Sequence, residues 1–108
     1  MSDDITVHDS SGNVFADLGI ENPEEYLAKS ELAAAILRIV QRRRLTQAEA
    51  AKLLGIRQPK VSELLRGRLD GFSTDRLLRF ITQLGYNVQI KVSKARDQVQ
   101  GHVEVRPH

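Results

Sequence analysis

The chain has 108 residues, no cysteine and a formal net charge of +2. That length holds one domain with short tails, and the lack of thiols excludes a disulfide framework and any thiolate metal site. Charged residues interrupt every apolar run before it reaches membrane-spanning length, and the acidic, polar start from Met1 to Ser10 is unlike a secretory signal; a cytoplasmic protein with no membrane contact is expected.

The small net charge hides an asymmetry. Residues 1–31 carry eight Asp/Glu against one Lys, whereas residues 32–79 carry eleven Lys/Arg against four Asp/Glu. A basic block of that size is the footprint of a polyanionic partner, or else a solvated helical surface.

Residues 1–13 read as a flexible tail that ends in the turn signal Ser10-Ser11-Gly12-Asn13. Val14, Phe15, Leu18 and Ile20 then form a compact apolar patch. Asn22-Pro23-Glu24-Glu25 predicts a helix start, with Asn22 as cap, Pro23 at the first helical position and Glu25 at the capping-box position. Leu32, Ile36, Ile39 and Val40 follow at helical spacing, and Arg42, Arg43 and Arg44 suit the negative end of the helix dipole. Whether this helix bends near Ser30 is open at this stage.

Thr46 and Glu49 form a second capping box. The helix they open should bury Ala48, Ala51 and Leu54 and stop at Gly55. Gln58-Pro59 starts a further helix with Val61, Leu64 and Leu65 inward, ended by Gly67. Ser73 caps the last helix; Phe72 and Leu77 sit at staple positions, and Leu77, Leu78, Ile81 and Leu84 complete the core before Gly85. The period then changes: Val88, Ile90 and Val92 alternate with polar residues, predicting a half-buried strand over 86–93. One strand alone is not stable in water, so pairing between two subunits of a homodimer is expected. Residues 94–108 read as a flexible tail, in which Val103-Glu104-Val105 is a weak strand candidate.

One segment bears on function directly. Ala51 stands four residues before Gly55, and Val61 six after it. Two helices that cross closely need a residue as small as alanine at the crossing. The reversal between them needs a residue that tolerates the left-handed conformation, and the second helix needs an apolar residue packed back under the first. Residues 46–67 meet all three needs, as a helix-turn-helix does, within a domain spanning 14–85. In such a unit the second helix enters the major groove of double-stranded DNA, leading end first. The base-reading candidates are Arg57, Gln58, Lys60, Ser62 and Glu63: Gln58 suits adenine, Lys60 guanine, and Glu63 the amino group of cytosine. Glu63 has a local alternative in pairing with Arg66 or Arg57. Phosphate candidates are Arg43, Arg44, Gln47, Lys52, Arg66, Arg68 and Arg76, which position the protein without reading sequence.

Catalysis has little to stand on. His8, His102 and His108 lie in the tails with no second ligand at metal spacing, no Ser/His/Asp set is visible, and Gly67 and Gly71 do not make a nucleotide fingerprint. No cofactor and no metal are expected.

The run Leu45-Thr46-Gln47-Ala48-Glu49, with Gly55-Ile56, Val61-Ser62 and Arg66-Gly67, resembles the lambda-repressor-like helix-turn-helix family, also called XRE, over about residues 32–84. The resemblance implies an all-α bundle, to which the C-terminal strand is added here for dimerisation. It also implies a backbone contact for Gln47 and base reading around Gln58. A narrower likeness rests on Asn13 to Gly19, Lys29 and Leu32, Gly67 to Ser73, and Leu84-Gly85-Tyr86-Asn87-Val88. It is to the HigA-like antitoxins, which neutralise an mRNA-cleaving toxin and repress their own operon as dimers. That likeness implies a small basic toxin as partner, with Val14, Phe15, Leu18 and Ile20 as candidate contacts. The alternatives are packing of these residues on the chain's own helices, a stand-alone XRE repressor, and an interaction module that has lost DNA binding.

Overall fold

The computed structural model describes residues 23–96 and 100–106. Val14, Phe15, Leu18, Ile20 and the proposed cap Asn22 lie outside the described residues. Four helices follow in order: α1 (Pro23–Arg42), α2 (Gln47–Leu54), α3 (Gln58–Leu65) and α4 (Thr74–Gln83). None is long and apolar enough to cross a membrane.

α1 runs unbroken past Ser30 for 20 residues. Its buried positions are Ala28, Leu32, Ala33, Ile36, Ile39 and Val40, three or four residues apart or adjacent, so they form one stripe. The stripe packs chiefly on α4 and also on α3, while α2 packs on α3. Ile36 is fully enclosed, and truncating such a residue to alanine costs about 2–5 kcal/mol.

α1 closes through a left-handed residue that is not glycine. Arg44 has φ +55°; its N–H donates to the Gln41 carbonyl at 3.0 Å, and the Leu45 N–H reaches back to the Val40 carbonyl at 3.0 Å. This is the paired closure of a Schellman end. α2 then opens on the expected capping box: the Glu49 N–H donates to Thr46 Oγ1 at 3.0 Å, and the Thr46 N–H donates to Glu49 Oε1 at 2.8 Å.

The buried face of α2 is Ala50, Ala51 and Leu54; Ala48 is exposed. The expectation for Ala48 is therefore corrected to Ala50. Residues two apart on a helix point about 200° from each other, so only one of these alanines can face the core. Ala50 is the one at helical spacing from Leu54. Gly55 ends α2 at φ +70°, and its N–H and that of Ile56 both donate to the Ala51 carbonyl, at 2.8 and 3.1 Å.

In α3, Val61 and Leu64 are buried and Leu65 is half-buried. Besides the small Ala28 and Ala33 of α1, two large core residues were not anticipated. Leu69 and Phe80 are both buried, and Phe80 meets Phe72 edge-on with ring centroids 6.0 Å apart. Leu69 and Phe72 thereby fasten the loop between α3 and α4. Ser73 caps α4 by accepting the Arg76 N–H at 3.1 Å, with Phe72 and Leu77 buried on either side of the cap. Leu78 stays half-buried.

The strand expected over 86–93 is not formed; these residues are irregular, and no described residue is in a strand. Tyr86 and Val88 pack against the core, whereas Ile90 and Val92 are exposed. The cause is the one that argued for a dimer: a ladder needs a second backbone, and no other described segment pairs with this one. Beyond it, the Val103 N–H donates to Glu24 Oε2 at 3.1 Å and Val105 packs against the core, so that part of the C-terminal segment returns to the start of α1.

Candidate nucleic-acid interface

The close crossing of α2 and α3 sets the geometry. Ala51 and Val61 are both buried, which lets Gly55 turn the chain directly into α3. Arg57 is the N-cap residue of α3, in extended conformation, and gives no side-chain cap. Arg57, Gln58 and Pro59 are all exposed at this leading end. No hydrogen bond or ion pair among the described residues engages the side chain of Arg57 or Gln58.

Further along α3 the side chains are paired. Gln58, Ser62 and Arg66 recur every four residues on one stripe. Within it, Arg66 donates through Nε and Nη2 to Ser62 Oγ, at 3.3 and 3.1 Å. Lys60 does not project from the tip. Its Nζ lies 3.6 Å from Glu63 Oε1 and 5.1 Å from the centroid of Phe72. An exposed pair of this kind contributes about 0–1 kcal/mol, so the contact orients both side chains more than it stabilises the fold.

The phosphate candidates divide similarly. Gln47, at the start of α2, is exposed, as are Arg44, Lys52 and Arg68. Arg43, expected among them, donates through Nη1 to the Leu84 carbonyl at 3.1 Å and so joins the end of α1 to the end of α4. The Arg76 guanidinium lies 5.5 Å from the Phe72 ring and 5.4 Å from the Phe80 ring, with Nη1 donating to the Gly71 carbonyl at 3.4 Å. Sequence reasoning missed Gly71 and Phe72 as the seat of these cations. Lys60 and Arg76 lie on opposite sides of the loop in sequence, and no periodicity relates them to the ring between.

The arrangement defines a helix-turn-helix protein. A family model described as a helix-turn-helix domain matches residues 14–93 and thus includes residues 86–93 with the bundle. Among solved structures, the chain is similar to one assigned to the XRE family of transcriptional regulators, at 40% sequence identity and a TM-score of 0.73, over 79% of this chain and 97% of that one. The chain belongs to the XRE helix-turn-helix family. No match was found among curated proteins.

Proposed function

We propose that the chain is a sequence-specific transcriptional regulator that lays α3 in the major groove of double-stranded DNA. The observation that carries this reading is the exposed, unengaged pair Arg57 and Gln58 at the leading end of α3, where a helix-turn-helix meets base edges. Exposed Arg44, Gln47, Lys52 and Arg68 flank that end in sequence and serve as phosphate donors. The match to an XRE-family regulator supports the same reading.

Selection of binding sites from a random duplex pool, followed by mobility shift at fixed salt, tests it. The wild type should enrich a defined site. Gln58→Ala should lose about 1–3 kcal/mol of discrimination at one base-pair position. A wild type that shifts neither selected nor random duplexes would show an interaction module that has kept the fold without binding DNA, and one that retains both equally would be a DNA binder that reads no sequence.

The finer reading is an autorepressing antitoxin that acts as a homodimer. The excess of Asp/Glu in residues 1–31 favours it, because an acidic segment suits a small basic toxin. Val14, Phe15, Leu18 and Ile20 are the proposed toxin contacts. Exposed Ile90 and Val92 favour a second copy as the partner of residues 86–93. Co-purification with the product of an adjacent reading frame tests the first, and sedimentation of a chain truncated before Tyr86 tests the second. A dimer that survives the truncation removes this segment from the interface.

A further inference from the structure

We propose that Lys60 is a positioning residue of α3, not a reader of bases: it holds the loop between α3 and α4 against the recognition helix. The inference deepens the DNA-binding reading and rests on it. It stands on three contacts of one ammonium group. Nζ lies over the Phe72 ring at 5.1 Å, inside the range at which a cation is drawn to an aromatic face. Glu63, one turn along the same helix, places Oε1 3.6 Å from it. The third is with the space beside Gly71 that a side chain there would take. A Cβ added at Gly71 would fall 2.5 Å from Nζ, so the ammonium occupies the space that any other residue at 71 would fill.

The seat is shared with Arg76, whose guanidinium reaches the same ring and donates to the Gly71 carbonyl. Two cations on one ring repel, and the Glu63 carboxylate beside Lys60 offsets that repulsion. Phe72 is itself buried and locked edge-on against Phe80. Lys60 therefore grips a fixed point of the core. To reach a guanine edge it would have to leave the ring, the carboxylate and the loop together. Where it sits, it sets the placement of residues 67–72 against α3, and with them Arg68, an exposed cation of that loop. It also holds Glu63 by ion pairing. Reading then falls to Arg57 and Gln58, with Ser62 held by Arg66.

Two measurements test this. In the free wild type, the Lys60 ε-methylene protons should resonate upfield of ordinary lysine because of the Phe72 ring current. The shift should persist when the selected duplex is added. Gly71→Ala, which keeps Lys60 but fills its seat, should abolish it. In binding-site selection, Lys60→Met should return the wild-type motif with affinity lowered about two- to fivefold at every site, the size of an exposed cation–π contact. Gly71→Ala should behave like Lys60→Met, and Lys60→Arg, which keeps a cation on the ring, should restore wild-type affinity. A changed preference at one base-pair position in Lys60→Met, or loss of the upfield shift on DNA, would overturn the positioning role alone. A wild type that enriches no site would overturn the DNA-binding reading, and this role with it.

Discussion

Two corners of the bundle, one at each end of α2, solve the same problem in opposite ways. Each must end one helix through a left-handed residue and begin the next from an extended one. At the corner between α1 and α2, the exit is Arg44 at φ +55° and the entry is Thr46 with a complete capping box. At the corner between α2 and α3, the exit is Gly55 at φ +70° and the entry is Arg57 with no side-chain cap. The left-handed conformation costs an L-residue about 1–2 kcal/mol that glycine does not bear, and a Ser, Thr, Asp or Asn cap contributes about 1 kcal/mol over other residues. Each corner thus has one optimal end and one poor one, and both poor ends are exposed arginines in the basic block. Departures from local rules tend to mark positions kept for function.

The largest effect should come from breaking the good exit. Gly55→Val should lower stability by about 2 kcal/mol in chemical denaturation. A Cβ at this position would meet nothing within 4 Å, so the loss is conformational and not a clash. Gly55→Asn should therefore lose far less, since asparagine tolerates the left-handed region. Equal losses for the two variants would show that sterics, not backbone conformation, decide this corner. Breaking the good entry comes next. Thr46→Ala removes the acceptor of the Glu49 N–H, while the backbone N–H of residue 46 can still donate to the Glu49 carboxylate; the expected loss is about 1 kcal/mol, read as a lower denaturation midpoint.

The contrast also marks what could be read beforehand. The capping box at Thr46, the stop at Gly55 and the cap at Ser73 were legible because each is a local interaction within four residues of sequence. The core of α1 was legible because its apolar residues are large and periodic. Ala48 and Ala50 were not separable, since alanine carries almost no pattern and only Leu54 decides between them. Leu69 escaped because it lies in a loop, where periodicity says nothing; Phe80 stands three residues after Leu77 and four before Leu84, beside Ile81, so the helical pattern did offer it. The strand over 86–93 was read from real alternation, but alternation reports a face and not a pairing partner. In the site, Arg57 and Gln58 stand where the motif put them. Lys60, Arg43 and Arg76 do not project freely, because their partners Phe72 and Leu84 are reached only through the tertiary fold.

Repairing the poor exit should sharpen the comparison. Arg44→Gly relieves the left-handed strain and should raise stability by up to about 1 kcal/mol. If Arg44 neutralises a phosphate, the same change should reduce the slope of log affinity against log salt by about 0.9. A gain in stability with an unchanged slope would separate the strain from DNA binding and leave the left-handed arginine without a functional reason.

Repairing the poor entry is the subtlest case. A serine at 57 would be a good N-cap by type, but the gain is limited by its neighbours. A cap bonds the N–H of the second or third helical residue. Here the second is Pro59, which has none, and the Lys60 N–H already donates to the Arg57 carbonyl at 2.9 Å. Arg57→Ser should therefore add only about 0.5 kcal/mol, the low end for caps. Its effect on DNA should be of the opposite sign, with weaker binding and lost preference at the base pair facing the tip. A variant that gained stability and kept full discrimination would mean that Arg57 does not read, and that Gln58 alone carries the leading end of α3.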